Sequence, residues 1–511
     1  MSSAPAIGSA AHVGQPQSAR LAKGASIALA GMVGGRGIRL VMDALLAHML
    51  GPGMFGLYAI GFAVTRVATF LSPLGLDAGV IRFGSAYWHR DTQRLKSVVV
   101  EGFLYSLFSG LVLGAGLYLA APWLADQMFS KPELAPVFRW FALAFPLITS
   151  LHVAAAATRI SQRMQFAVYA EEIAQPAAAL LLILTLSLWG WKLAGALAAN
   201  VISFGLSLAL AIYYLHLLFP AVLTPPLQVT KCGKDLLGFS LPASLSTMSG
   251  ILLLWTDRLF VGYFRPASEA GIYYAAGQLS VMLAVILGAF GAIAGPMIAH
   301  RHSEGDRLRL QELFHMSTKW SLYLSIPPFL VMALLGGPAM SALFGKPYAE
   351  GATALLILAV GQLVNAGTGP TGAMLLMTGH ARLISRLTAS AVLLSSILCF
   401  VLIPRRELVG AALATSLAVS SLAVASVWTI RRTLGVWPYD RRYLKGMAGT
   451  GATAAALLLL RVTAVGSPLA RLVVGAILAV CVFLTVLILA GLDHEDREFV
   501  RLIHARVSRS Q

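Results

Sequence analysis

Apolar runs recur along the whole 511-residue chain, each near the roughly 20 residues a helix needs to cross about 30 Å of hydrocarbon. Lipid offers the backbone no hydrogen-bond partner, so runs of this kind must be helical. They fall at 24–49, 55–81, 97–119, 136–158, 168–189, 193–218, 236–263, 271–299, 314–336, 352–377, 383–403, 408–430, 444–464 and 469–491. The expected fold is an all-α polytopic membrane protein with about fourteen transmembrane helices. A composition of 58% hydrophobic and 12% charged residues agrees with that, being more apolar than one or two soluble cores require.

Orientation follows from the basic residues, because Lys and Arg collect on the cytoplasmic side. With the N-terminus inside, 24 of the 38 Lys and Arg fall in inside segments, 9 at outside ends and 5 within spans. Every even-numbered span is then followed by a basic loop, and both termini are cytoplasmic. The net charge of +17 is explained by those loops, and no nucleic-acid partner is expected. Residues 1–19 lack a basic start and an uninterrupted apolar stretch, so they read as a disordered cytoplasmic tail without a cleavable signal. Residues 492–511 read as a basic cytoplasmic tail.

An internal repeat organises the spans. At an offset of 215 residues, Lys131–Pro132 returns as Lys346–Pro347, Gly56–Leu57–Tyr58 as Gly271–Ile272–Tyr273, and Asp91 and Arg94 as Asp306 and Arg309. Asp43 returns at 214 as Asp257. Six spans separate the copies, an even number, so the halves have one orientation and form a parallel repeat about an axis along the membrane normal. The units are an N-lobe at 20–219, a C-lobe at 235–434, and two further helices at 444–491.

Charges within spans are expensive and mark function by default. Arg36, Arg39 and Asp43 share one face of the first span. An intrahelical Arg39–Asp43 pair is the structural alternative, yet it leaves Arg36 without a partner. Arg66 has no acidic residue one turn away. Asp257 and Arg258 are adjacent and should point in different directions. Lys319 lies near enough to the end of its span to snorkel. Glu171 and Glu172 read as acidic residues complementing a helix N-terminus. Cys232, Cys399 and Cys481 are far apart, without metal-ligand spacing. No metal set, cofactor, phosphate-binding loop or catalytic triad stands out, and the outside loops are too short for a catalytic domain. The chain reads as a membrane transporter and not an enzyme.

The turn Leu50–Tyr58 (LGPGMFGLY) resembles the signature of polysaccharide flippases in the multidrug/oligosaccharidyl-lipid/polysaccharide (MOP) exporter superfamily, and Leu74–Phe83 (LGLDAGVIRF) is similar to the same family's second-span end. The resemblance implies two six-helix lobes in a V, which rock to expose a central cavity alternately to either side. It implies a cargo of polyprenyl-diphosphate-linked oligosaccharide, carried from the cytoplasmic to the outer leaflet of the bacterial inner membrane. Arg36, Arg39, Arg66 and Arg258 would hold the anionic headgroup, since Arg suits paired phosphate oxygens. Asp43 or Asp257 would couple a proton or cation. Membrane lipids are implied partners, as are a polysaccharide polymerase and its chain-length machinery. Two rivals within the superfamily are a lipid II flippase and a cation-coupled drug exporter; the latter relies on acidic cavity residues, whereas this first-lobe cavity would be basic.

Overall fold

A computed structural model describes residues 17–71, 75–223, 232–439, 443–462 and 467–489. Of the expected terminal tails, residues 1–16 and 492–511 lie outside them, and the first helix begins at Gln17. All regular structure among the described residues is helical. The first half contains α1 (Gln17–Leu71), α2 (Leu76–Tyr87), α3 (Thr92–Trp123), α4 (Leu134–Arg159), α5 (Met164–Val168), α6 (Gln175–Leu188), α7 (Leu193–Leu218) and α8 (Pro220–Leu223). The second contains α9 (Gly233–Phe264), α10 (Ala267–Ser303), α11 (Arg307–Leu334), α12 (Gly336–Phe344), α13 (Ala352–Gly367), α14 (Thr371–Met377) and α15 (Ala381–Leu434), and α16 (Tyr443–Val462) and α17 (Pro468–Leu489) close the chain. Among the described residues nine helices are long and apolar enough to cross a membrane, or ten if α11 and α12, bent by 87°, form one broken span.

That number counts the two longest helices, α1 and α15, once each, although both are broken inside. In α1 the break is at Gly51, with φ 68°, a conformation open to glycine and strained for other residues. Pro52 follows it and cannot donate to the preceding turn. The Arg39 guanidinium lies 5.9 Å from the Phe62 ring, whereas a straight helix rising 1.5 Å per residue would hold them about 35 Å apart. The chain therefore folds back on itself at Gly51–Pro52. In α15 the break is at Glu407, with φ 52°, and its carboxylate pairs with Arg265 at 2.7 Å.

The repeat is visible as duplicated geometry. Asp91 caps α3 by accepting from the Arg94 backbone N–H at 2.9 Å, and Asp306 caps α11 by accepting from that of Arg309 at 3.1 Å. Asn200 donates to the Tyr58 hydroxyl at 3.0 Å. At the same offset Tyr273 meets Thr415 at 3.4 Å.

The halves meet along α1 and α10. Gly56 and Gly271, equivalent in the repeat, face each other so closely that a Cβ on Gly56 would fall 1.6 Å from the Ala267 carbonyl oxygen, and one on Gly271 would fall 2.5 Å from that of Pro52. The pseudo-twofold axis passes between these glycines. Lys131 Nζ donates to the Gly262 carbonyl at 2.8 Å, and the Tyr348 hydroxyl to that of Ala47 at 3.3 Å. All these contacts lie at the end opposite the basic loops, where the two halves are closed together.

A second joint lies nearer the basic loops. Both carboxylate oxygens of Glu101, in α3, accept from the Cys232 backbone N–H at 3.3 and 3.1 Å. Glu101 thus caps α9 from another helix, where the residue at the third helical position more commonly reaches back. Burial raises the Cys232 thiol's pKa, and the Glu101 carboxylate raises it further. Removing the cap with Glu101→Ala is expected to cost about 1 kcal/mol. Glu101→Gln, which keeps an acceptor, should cost less, and thermal unfolding in detergent reads the difference.

Candidate functional site

The charges predicted from the sequence converge where the halves meet. Arg36, Arg39 and Arg66 lie within range of one another's charge, and Arg36 also of Glu172 and Arg258. The fold-back at Gly51 produces this, because it brings the second limb of α1, carrying Arg66, alongside the first. Phe62 lies beneath two of the cations, with Arg66 5.0 Å and Arg39 5.9 Å from its centroid. A guanidinium over an aromatic face gains cation–π attraction and leaves its edge N–H groups free for a ligand.

The expected alternative of an Arg39–Asp43 pair does not form. Arg39 Nη2 donates instead to Gln175 Oε1 at 2.9 Å, and Gln175 Nε2 donates to Ser203 Oγ at 3.1 Å. Gln175 opens α6 after a π-helical turn, Tyr169–Ala174, so an amide from deep in the N-lobe orients Arg39 without neutralising it. Arg36 is exposed, and none of Arg36, Arg39 and Arg66 forms an ion pair with a described residue. Gly35 places that stretch of α1 hard against α5–α6, since a Cβ there would fall 2.1 Å from the Glu172 carbonyl oxygen.

Asp43 is fully buried and reaches the other half: its Oδ2 accepts from Gln278 Nε2 at 2.6 Å, while Oδ1 has no partner. Asp257, its equivalent, is saturated. Tyr273 donates to it at 2.7 Å, Thr415 at 3.1 Å, and the Arg258 backbone N–H at 2.8 Å. Arg258 and Asp257 do not point apart as adjacency suggested. The long side chain folds back, placing Nη1 3.2 Å from Asp257 Oδ1 and also bonding the Leu254 carbonyl. Arg258 is buried over Trp255, at 5.0 Å, in space left by Gly277. It is therefore held differently from the three N-lobe arginines.

Other readings change in detail. Glu171 does more than complement a helix dipole: it bridges Arg159 at 2.5 Å and His152 at 2.8 Å. Lys319 is buried and lies 5.7 Å from the Tyr323 ring, so it does not snorkel. The residues missed from the sequence are Gln175 and Gln278. Both are amides within apolar runs, where a polar group must find a partner, and that was the signal that could have found them.

Comparison with known proteins agrees with this architecture. The sequence profile of a family described as polysaccharide biosynthesis protein matches residues 21–302, more than half of the chain. The chain is 24% identical over 335 residues to the succinoglycan biosynthesis transport protein of Rhizobium meliloti, covering 63% of this chain and 62% of that protein. It is 26% identical over 197 residues to the probable low-salt glycan biosynthesis flippase of Haloferax volcanii, covering 39% of this chain and 41% of that protein. The alignments thus span about two fifths to three fifths of these relatives. Among solved structures, the lipid II flippase MurJ in an inward closed conformation superposes with TM-score 0.67 at 12% identity, covering 89% of this chain and 96% of that one. An inward-facing MATE-family multidrug resistance transporter of the MOP superfamily gives 0.64 at 18% identity, covering 80% and 98%. The chain belongs to the polysaccharide biosynthesis protein family, and its helices adopt the fold of the MOP exporters.

Proposed function

We propose that this protein is a flippase for a polyprenyl-diphosphate-linked oligosaccharide, moving it from the cytoplasmic to the outer leaflet of a bacterial inner membrane for polysaccharide assembly. The observation that carries this reading is the group of three N-lobe arginines without a carboxylate partner among the described residues, gathered where the two halves meet. Unpaired cations in membrane spans are retained against a large desolvation cost, and a diphosphate is a ligand that offsets it with charge-assisted, bidentate hydrogen bonds. The relatives named as glycan flippase and succinoglycan transporter support a glycan cargo. Closure of one end through a backbone-close glycine contact supports alternating access, because such a contact is either made or broken. Polymerase and chain-length proteins would receive the cargo outside, and Asp43 would be the site of proton or cation coupling. A drug exporter is disfavoured, since a cationic drug would meet like charge at Arg36, Arg39 and Arg66.

The test follows lipid-linked oligosaccharide in cells carrying Arg36→Ala together with Arg39→Ala. A charge-assisted hydrogen bond contributes about 1.5–3 kcal/mol, so export is expected to fall by at least about tenfold. The precursor should accumulate on the cytoplasmic leaflet at unchanged protein level. Normal export in the double variant would remove these arginines from the transport site and overturn the reading.

A further inference from the structure

A cavity of about 510 Å³ lies in the C-lobe between α9 and the start of α15, and none of the arginines described above lines it. Ser249 and Gly250 of α9 form one wall, and Arg382, Ser385, Arg386 and Thr388 of α15 form the other. Arg382 and Arg386 are four residues apart, hence on one helix face about 6 Å apart along the axis. Both are exposed and neither forms an ion pair with a described residue. Two like charges at that spacing repel and destabilise a helix unless an anion stands between them.

The repeat shows what is unusual about this place. Ser249 falls on Gly35 at the first-span offset, and Arg382 and Arg386 fall on Ala167 and Glu171 at the offset of 215. In the N-lobe the equivalent joint is shut. A Cβ on Gly35 would fall 2.1 Å from the Glu172 carbonyl oxygen, and one on Gly31 would fall 2.0 Å from Val168 Cγ1. Its one charge at an equivalent position, Glu171, is spent on Arg159 and His152. In the C-lobe the same joint is open, and its charge is reversed in sign and doubled.

We infer that this cavity is a binding site for the phosphate of a lipid headgroup, held between Arg382 and Arg386 with the hydroxyls of Ser249 and Ser385 at hand. The two arginines stand in the first two turns of α15, at the end of the span that carries the basic loops, which is headgroup depth for the cytoplasmic leaflet. Two sources share this chemistry: the diphosphate of the proposed cargo before it reaches the central arginines, and the phosphate of a resident anionic lipid. The cargo assignment rests on the flippase reading; the phosphate assignment does not.

Native mass spectrometry of the purified full chain tests this, with a polyprenyl diphosphate and phosphatidylglycerol as separate probes. The variants are Arg382→Ala with Arg386→Ala, the corresponding pair of lysines, and Arg36→Ala with Arg39→Ala. The alanine pair is expected to weaken retention of polyprenyl diphosphate by at least about tenfold, with partial recovery in the lysine pair, which keeps the charge but not the fork. Loss confined to the diphosphate assigns the site to cargo; loss for phosphatidylglycerol alone assigns it to a resident anionic lipid; loss for both probes assigns it to lipid phosphate generally. Wild-type retention of both probes in the alanine pair overturns the proposal. Normal oligosaccharide export by the Arg36/Arg39 variant, together with loss of lipid binding in the Arg382/Arg386 variant, would sink the central-cavity reading and leave this site standing.

Discussion

Asp257→Ala is expected to destabilise the folded protein by about 3–5 kcal/mol, the usual cost of leaving one member of a buried ion pair without its partner. Asp257 and Arg258 are both buried, and the carboxylate also accepts from the Tyr273 and Thr415 hydroxyls. Alanine would leave a guanidinium and a phenol to seek new acceptors in an apolar core that has few. Asp257→Asn keeps an oxygen for two of these donors and should lose less. The symmetry-related Asp43→Asn should behave differently. Asp43 makes one hydrogen bond, to Gln278 across the lobe boundary, and half of its carboxylate has no partner. Asparagine can accept the same bond, so stability should stay within about 1 kcal/mol of wild type while export changes. Unfolding in sodium dodecyl sulfate titrations measures stability, and oligosaccharide export in the same strains measures function. Equal destabilisation by the two asparagine variants would show that Asp43 and Asp257 do not divide function and stability between them.

That division was only half legible in the sequence. The offset of 214 paired Asp43 with Asp257, and hydropathy placed both inside spans, because those signals are local. Their environments depend on residues far along the chain. Thr415 is 158 positions from Asp257, and Gln278 is 235 from Asp43. The same distance problem explains Arg39. Helical spacing suggested Asp43, one turn away, whereas the structure supplies Gln175, 136 residues on. Adjacent residues on a helix diverge at Cβ, but Arg258 is long enough to fold back over Asp257, so a rule about Cβ direction misjudged a contact made by terminal atoms. The glycines show the opposite case. Gly56 and Gly271 were recognised as equivalent, and residues equivalent under a twofold axis can meet only at that axis. Their contact was therefore implicit in the repeat once the lobes were known to touch there.

Gly56→Leu is expected to break closure at the end opposite the basic loops and, on the proposed transport function, to reduce export by at least about tenfold, the equivalent of about 1.4 kcal/mol. A Cβ at position 56 would stand 1.6 Å from the Ala267 carbonyl oxygen and 2.5 Å from its carbon, where ordinary contact begins near 3.4 Å. The obstacle is backbone on both sides, so no rotamer change relieves it, and the lobes must separate by about 2 Å or more to admit even the first carbon. The hydrogen bonds from Lys131 to Gly262 and from Tyr348 to Ala47 span the same boundary and would be lost with it. Phe55 reports the change. It is fully buried among aromatic rings of both halves, 5.6 Å from Tyr274 and 6.1 Å from Tyr348. A cysteine replacing Phe55, in a chain whose three native cysteines have been removed, should react slowly with a membrane-impermeant thiol reagent added outside. Gly56→Leu should make that reaction fast, while Gly53→Ala, whose Cβ would meet nothing within 4 Å, should leave it slow. In the alternating-access cycle proposed above, the end opposite the basic loops must close for part of every cycle, so holding it open would stop the return step even with Arg36, Arg39 and Arg66 intact. If labelling stays slow and export stays normal in Gly56→Leu, the glycine contact is not what closes the outer end.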